Sequence, residues 1–563
     1  MKLVPGADAL VRLLQLHGVE HLFGLCGDTS LPFYDALQRL DHGMQHILTR
    51  DERSAAYMAD GYARVSGRVG VCEGPSGGGA TYILPGVVEA NESSIAVLAI
   101  TSDISVASRG KFTLTELDQE ALFRPLTKWT QVIDRAAQIP QALRSAFSRM
   151  TSGRPGAVHL GLPLDVQREL AVSEDDLWAE AGSGSFPSRR IAPDPGATEQ
   201  AAQALLSAHA PLIICGGGPL ISGALAELRR LAEALGCPVA TTISGKGTIA
   251  ESHPLALGVV GANGGTLATR EIVEQSDLVM FVGCRAGSVT TEKWRFPPRG
   301  TRVIHLDIDP TVVDANYAPE VALIGDARLA LDALARTIES AKGARATNQA
   351  SARVTAAREK KFAAFRALAE SLDGPIRPER LVADLRAVAP ADCILVADPG
   401  TPCPYFSAYW SLEHAGRHFI SNRAHGALGY AMSAAAGAYF ARPERKCIAV
   451  MGDGSFGFTC GEMETLLRYK VPLTMIVVSN ASFGWIKAGQ RTSFGARYFS
   501  VDFSRTEHAR VAEAFGVKAW RVADPSKLRA ALAAAIAHDG PSLVDVITQP
   551  LHEAQAPVSE WIV

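Results

Sequence analysis

Short apolar runs rich in β-branched residues recur along the chain, and each leads into a glycine-bearing turn. Cys447-Ile448-Ala449-Val450-Met451 opens into Gly452-Asp453-Gly454-Ser455, Val69-Gly70-Val71-Cys72-Glu73 into Gly74, and Leu212-Ile213-Ile214-Cys215 into Gly216-Gly217-Gly218. Runs of this length bounded by glycine predict buried strands. Between them, Ala55, Ala56, Ala59 and Tyr62 fall at helical spacing, which predicts a helix with Glu52 near its start. Residues 461–469 read as helical, and a second buried strand follows at 473–478. The pattern repeats. Tyr62-Ala63-Arg64, four residues and the run 69–74 parallel Phe440-Ala441-Arg442, four residues and the run 447–452. Both copies continue through a helix to another apolar strand, at 95–100 and 473–478. Such alternation predicts α/β architecture, with two related domains flanking a middle region.

The middle region has the same logic. Leu278–Val282 runs into Gly283-Cys284-Arg285, and the run from Arg302 ends in the acids Asp307 and Asp309. Glycine-rich turns plus a strand-end acid suit a nucleotide's phosphates and ribose, although no G-x-G-x-x-G fingerprint is present. Residues 182–197, rich in Gly, Ser and Pro, read as a linker, and 341–364, charged and Ala-rich, as a second, partly helical one. The expected fold class is therefore three doubly wound parallel-sheet domains, at 1–180, 195–340 and 365–563. A chain of 563 residues accommodates them at about 100–200 residues each.

Composition narrows the partners. A hydrophobic share of 47% supports several cores, while a formal charge of −3 without a basic block argues against nucleic acid. No apolar stretch is long enough for a membrane span, and the N-terminus has no cleavable apolar segment, so a cytoplasmic location is expected. Nine cysteines without a C-x-x-C pair argue against a disulfide framework or zinc site. Cys26 and Cys403 stand apart, in Gly- or Pro-rich loops.

The chemistry concentrates at two places. After 447–451, glycines let backbone N–H groups approach an anion, and Asp453 supplies a hard oxygen for Mg²⁺. The exit of the next strand, Ser479-Asn480-Ala481-Ser482, adds the Asn480 amide oxygen and a nearby carbonyl, at Ser482, to an oxygen-only, phosphate-sharing site. Upstream, Glu52 opens a helix, where an acid also complements the macrodipole.

Together these motifs resemble those of thiamine diphosphate (ThDP) enzymes, in the acetolactate synthase-like branch. Glu52 through Gly67 is similar to the signature E-x-x-A-x-x-M-A-x-G-Y-A-R-x-x-G, and Gly452-Asp453-Gly454 with Asn480 is similar to the diphosphate motif, whose first Asn is here Ser479. The resemblance implies a pyrimidine-binding first domain, a Rossmann-like middle domain and a diphosphate-binding third. It gives Glu52 the role of proton partner to the cofactor's pyrimidine. It puts Gly400 and Thr401 against the diphosphate with Gly452, Asp453, Gly454, Ser455, Asn480 and Ser482. Leu428 becomes the apolar prop under the bent cofactor, and the Gly426 carbonyl the acceptor for its 4′-amino group. Residues 484–500 are expected to be a flexible cover.

The implied activity is ThDP- and Mg²⁺-dependent making or breaking of carbon–carbon bonds in 2-oxo acids or related acyl compounds, through a C2 carbanion and an enamine. The alternatives are a 2-oxo acid or 2-hydroxyacyl-CoA decarboxylase or lyase, and a ThDP/FAD oxidase. Gly216, Gly217 and Arg285 match positions that contact FAD in the synthase pattern, and Asp307 is the strand-end acid of the possible nucleotide site; other relatives hold ADP or CoA there, or nothing, and here Ala286-Gly287-Ser288 replaces the synthases' Phe-Asp-Asp. Leu114-Thr115 stands where synthases carry Phe-Gln, and Gly484-Trp485-Ile486 where they carry Gly-Met-Val. The family pattern also implies a homodimer or homotetramer with the cofactor between subunits.

Overall fold

A computed structural model of the chain describes residues 2–341, 347–554 and 556–558. Residues 342–346 of the expected second linker, and 555 and 559–563 of the expected third domain, lie outside the described residues.

The strands are β1 (Leu3–Pro5), β2 (His21–Gly24), β3 (Gln45–Leu48), β4 (Gly70–Gly74), β5 (Val97–Asp103), β6 (Trp129–Val132), β7 (Val158–Pro163) and β8 (Leu170–Ser173) in the first part. Next come β9 (Pro211–Cys215), β10 (Val239–Thr241), β11 (Ala256–Val259), β12 (Leu278–Val282), β13 (Arg302–Asp307) and β14 (Val321–Ile324). The last are β15 (Ile394–Ala397), β16 (Phe419–Ile420), β17 (Cys447–Gly452), β18 (Thr474–Ser479), β19 (Lys518–Val522) and β20 (Ser542–Ile547). They build three six-stranded parallel sheets, plus the antiparallel pair β1–β8. Every residue of β4, β5, β7 and β12 is buried, which explains why apolar side chains fall on both faces of these runs rather than alternating with polar ones.

The order β3-β2-β4-β5-β7-β6 in the first sheet equals β16-β15-β17-β18-β20-β19 in the last, so the repeat seen in sequence is a repeat of topology. The middle sheet differs: β11-β10-β9-β12-β13-β14 is the Rossmann order, which reverses between β9 and β12.

The chain divides into two compact units, one of residues 1–189, 422–444 and 459–471, the other of 190–421, 445–458 and 472–563. The first contains one sheet; the second contains the other two. Segments of the expected third domain thus belong to both. Among the described residues no helix is long and apolar enough to cross a membrane.

In the first unit the helix Glu52–Ser66 starts at Asp51, whose carboxylate accepts from the N–H groups of Arg53 and Ser54, and ends at Gly67 in the left-handed conformation, φ 69°. It crosses the helix Tyr430–Ala441 with backbones in contact. A Cβ at Gly61 would strike the carbonyl of Ala434, and one at Gly437 the carbonyl of Met58.

Three expectations need correction. The glycine-rich turn after β17 is already helix, Asp453–Thr459, so Asp453 occupies a first helical turn. The expected cover 484–500 begins with a helix, Gly484–Ser493, whose inward positions Gly484 and Ala488 are too small to mark a periodicity. Cys403 lies buried in the helix Pro402–Tyr409 rather than in a loop.

Gly437→Ala should lower stability by ~1–3 kcal/mol, as overpacking does, measured as a shift in the denaturant midpoint. Gly287→Ala is the control, because a Cβ there meets nothing within 4 Å. Equal effects would mean that the two helices separate without cost.

Candidate functional site

Glu52 is only 8% exposed and opens its helix beside the turn after β4. A Cβ at Gly74 would stand 3.3 Å from Glu52 Cγ, and one at Gly79 3.1 Å from its Oε1, so two glycines make room for this carboxyl. Burial pushes its pKa above the ordinary value, the N–H of its own residue pulls it back, and Asp51 raises it further.

A second buried acid was not singled out from sequence. Glu73, at the end of β4, accepts from the Tyr34 hydroxyl at 2.7 Å, and that hydroxyl lies 3.0 Å from His46 Nε2. Glu73 Oε1 is buried with no partner. Burial lifts the Glu73 pKa from 4.5 to about 8, hydrogen bonds from Tyr34 and Ser30 oppose this, and the charge of Glu52 adds to it. Burial also holds His46 neutral, at about 4. The available signal was a lone acid inside an otherwise apolar strand. Hydroxyls gather at neighbouring loops: Thr29 Oγ1 lies 3.0 Å from Ser76 Oγ and 2.7 Å from Ser102 Oγ, and Ser76 Oγ 2.8 Å from Thr115 Oγ1.

Gly426 and Leu428 also belong to the first unit. Buried Glu89 holds their loop, accepting from the N–H groups of His425 at 2.8 Å and Gly426 at 3.2 Å. Arg64 ties Glu89, at 3.2 Å, to Asp60, at 2.8 Å, and the Tyr430 hydroxyl donates to Asp60. Leu428 is half-buried, with surface left over for a ligand.

In the second unit, Asp453 is 6% exposed and its carboxylate is aimed by three backbone donors: Asn480 at 2.8 Å, Ala481 at 2.6 Å and Gly454 at 2.9 Å. Burial raises its pKa and these three N–H groups pull it back. Ala481 takes a left-handed φ of 54°, the bend that turns two successive N–H groups toward one oxygen. Asn480 Oδ1 accepts from Ser482 Oγ at 3.1 Å and keeps a lone pair for a cation. Gly400, with φ 94°, and Gly452 face open space, since a Cβ at either would meet nothing within 4 Å. Gly454 is different, because a Cβ there would press on the Phe483 ring at 2.8 Å. Thr401 and Ser455 are buried beside this cradle's glycines in sequence. The cradle fits a diphosphate that approaches backbone N–H groups. It offers one carboxylate, so a hard cation there would draw further oxygens from the ligand itself.

In the middle sheet Gly216 packs against Gly283 and Cys284, while Gly217 has ordinary room. Asp307 ends β13, 8% exposed and accepting from the Asp309 N–H at 3.0 Å, and Arg285 is exposed. Thr241 Oγ1, at the end of β10, and both amide atoms of Asn263, in the loop after β11, are buried without partners. Sequence reading missed both. They follow the carboxyl ends of strands, where open α/β sheets bind ligands.

Family models match three stretches of the chain: the thiamine pyrophosphate enzyme N-terminal TPP binding domain at 4–122, the central domain at 198–334 and the C-terminal TPP binding domain at 398–546. Among curated proteins, the probable acetolactate synthase large subunit of Methanococcus aeolicus is 35% identical, over 97% of this chain and 92% of its own length. The probable large subunit of Methanocaldococcus jannaschii is 34% identical over 97% and 92%. The isozyme 2 large subunit of Escherichia coli is 31% identical over 96% and 95%.

Glu73 makes a pH prediction. Its folded-state pKa lies above the unfolded value of 4.5, so the native state holds a proton that the unfolded chain has released between pH 4.5 and about 8, and stability falls as pH rises through that window. Melting temperature should therefore drop from pH 5.5 to 8.5 in the wild type and drop less in Glu73→Gln. Parallel profiles would show that Glu73 is ionised in the folded protein.

Proposed function

The chain belongs to the thiamine pyrophosphate enzyme family, and from that premise we propose an acetolactate synthase-like enzyme, dependent on ThDP and Mg²⁺, that joins or cleaves carbon–carbon bonds of 2-oxo acids or related acyl compounds. The observation that carries this reading is the Glu52 carboxyl, buried between Gly74 and Gly79 with a raised pKa. When bound, ThDP supplies a nucleophilic carbon and an electron sink for decarboxylation. Glu52 holds a proton toward the pyrimidine N1′. Gly426, fixed by Glu89, would offer its carbonyl to the 4′-amino group, and Leu428 would pack against the cofactor. Asp453, Asn480 and the Ser482 carbonyl hold Mg²⁺ against the diphosphate, with Gly400, Thr401, Gly452, Gly454 and Ser455 around it. The hydroxyls of Thr29, Ser76 and Thr115 favour a donor or acceptor with polar substituents, since Thr115 stands where synthases carry Gln.

The domain limits 1–180, 195–340 and 365–563 and a cytoplasmic location belong to the same proposal. So does a nucleotide, FAD or ADP, in the middle domain at Gly216, Gly217, Arg285 and Asp307. The unpartnered Thr241 and Asn263 groups support it.

Glu52→Gln should fold and bind ThDP but lose ~10²–10⁴-fold in turnover, the usual scale of a lost acid–base group. The measurement is turnover together with C2–H exchange of bound cofactor. Exchange at the wild-type rate would remove Glu52 from that role.

A homodimer or homotetramer with shared sites is the further expectation. Glu52 lies in the first compact unit and Asp453 in the second. Phe112, Leu114 and Phe499 are 100%, 87% and 84% exposed, apolar surface that assembly would cover. Asp453→Ala should abolish Mg²⁺-dependent ThDP binding in calorimetry. Mixed with Glu52→Gln under subunit exchange, it should restore roughly a quarter of wild-type activity, because half the dimers are mixed and each keeps one intact site. Mixed dimers without activity would place both residues in a site within one chain.

A further inference from the structure

The first unit carries a cleft of about 450 Å³, lined mostly by polar and charged residues, that none of these roles uses. One wall is the outward stripe of the helix Ile139–Thr151, with Gln141, Arg144, Ser145, Ser148 and Arg149 at i, i+3, i+4, i+7 and i+8. Leu143, Ala146, Phe147 and Met150 are buried on its other side. The segment 178–189 brings Trp178, Glu180, Ser183, Ser188 and Arg189 to the same cleft, and His17 lines it from the end of the first helix.

A polar helical stripe is ordinarily a solvated face, and three observations distinguish this one. Its charge is unbalanced. Arg189 pairs with Glu180 at 2.5 Å, whereas Arg144 and Arg149 have no carboxylate partner among the described residues. Its arginines are also held in place. The Arg144 guanidinium lies 4.1 Å from the centre of the Trp178 ring and donates to the Asp176 carbonyl at 2.9 Å, and Arg149 lies 5.2 Å from the Trp129 ring. Finally, a buried group there is unsatisfied. His17, 4% exposed, stacks on Phe147 at 3.8 Å and bonds Ser183 Oγ through Nδ1 at 2.7 Å, yet its Nε2 has no partner.

We propose that this cleft binds a small organic phosphomonoester. Three guanidinium groups against one carboxylate leave about two positive charges, which match a phosphomonoester's charge of about −1.5 to −2. Planar guanidinium forks and serine hydroxyls suit phosphate oxygens, and Ser145 and Ser148 stand between Arg144 and Arg149 along the helix. The volume is in the range of small-molecule sites and far above the room a water takes, about 30 Å³. The ligand is therefore larger than a bare anion, with its organic part along Trp178.

The test is calorimetric titration of the full chain, saturated with ThDP and Mg²⁺ so that the diphosphate cradle is filled. The probes are ribose 5-phosphate, inorganic phosphate and ribose. Ribose 5-phosphate should bind at one site per chain and ribose should not bind. Arg144→Gln and Arg149→Gln should each weaken binding about tenfold or more. Arg149 is exposed, so its variant should keep the wild-type circular dichroism and melting temperature and report on binding alone. Failure of ribose 5-phosphate to bind, or full affinity in Arg149→Gln, would overturn the proposal. Inorganic phosphate binding as tightly as ribose 5-phosphate would overturn the organic part and leave an anion site.

Discussion

The contact on which the first unit depends is the backbone-to-backbone crossing of the helices Glu52–Ser66 and Tyr430–Ala441 at Gly61 and Gly437. Because no side chains separate them there, the Tyr430 hydroxyl reaches Asp60, and its ring meets that of Tyr57 edge-on at 5.1 Å. Asp60 and Glu89 are fully buried and Arg64 nearly so, a charged group that would be costly if any member lost its partner. Each does have a partner. The crossing therefore sets the distance at which Glu89 can reach the N–H groups of His425 and Gly426, and so the position of that loop.

Much of this was legible in the sequence. Glycine-bounded apolar runs located β4, β5, β9, β12, β13, β17 and β18, because buried parallel strands carry apolar side chains on both faces. The match of 62–74 with 440–452 revealed the duplicated topology. Glu52 could be placed at a helix start because Ala55, Ala56, Ala59 and Tyr62 fall at helical spacing just after it. What escaped was chemistry made by tertiary contact. Glu73 reads as one acid in a strand until Tyr34 and His46, distant in sequence, close on it. Glu89 reads as an ordinary helical acid until the 424–426 backbone arrives. The helix Gly484–Ser493 escaped for a local reason, since its buried stripe consists of Gly484 and Ala488.

The middle sheet shows what topology adds to motif. Its glycine turns match no dinucleotide fingerprint, yet the order β11-β10-β9-β12-β13-β14 reverses at β9 and β12, the strands whose exits carry Gly216 and Gly283. Gly216 serves that close approach of two turns, because a Cβ there would meet the Gly283 carbonyl and Cys284. Gly217, one residue on, is free of such contact. Of two adjacent glycines matching the same pattern, close packing explains only the first.

The same distinction organises the two carboxylates. At Glu52, the space won by Gly74 and Gly79 is filled by the acid itself, so the carboxyl loses water without gaining a counter-charge, and its proton is held more tightly. At Asp453, Gly400 and Gly452 leave space that the protein does not fill, while three N–H groups support the ionised form against burial. Glycine thus gives different surroundings to two acids whose pKa burial raises alike: one is enclosed by the fold, and the other is held by three N–H groups beside open space.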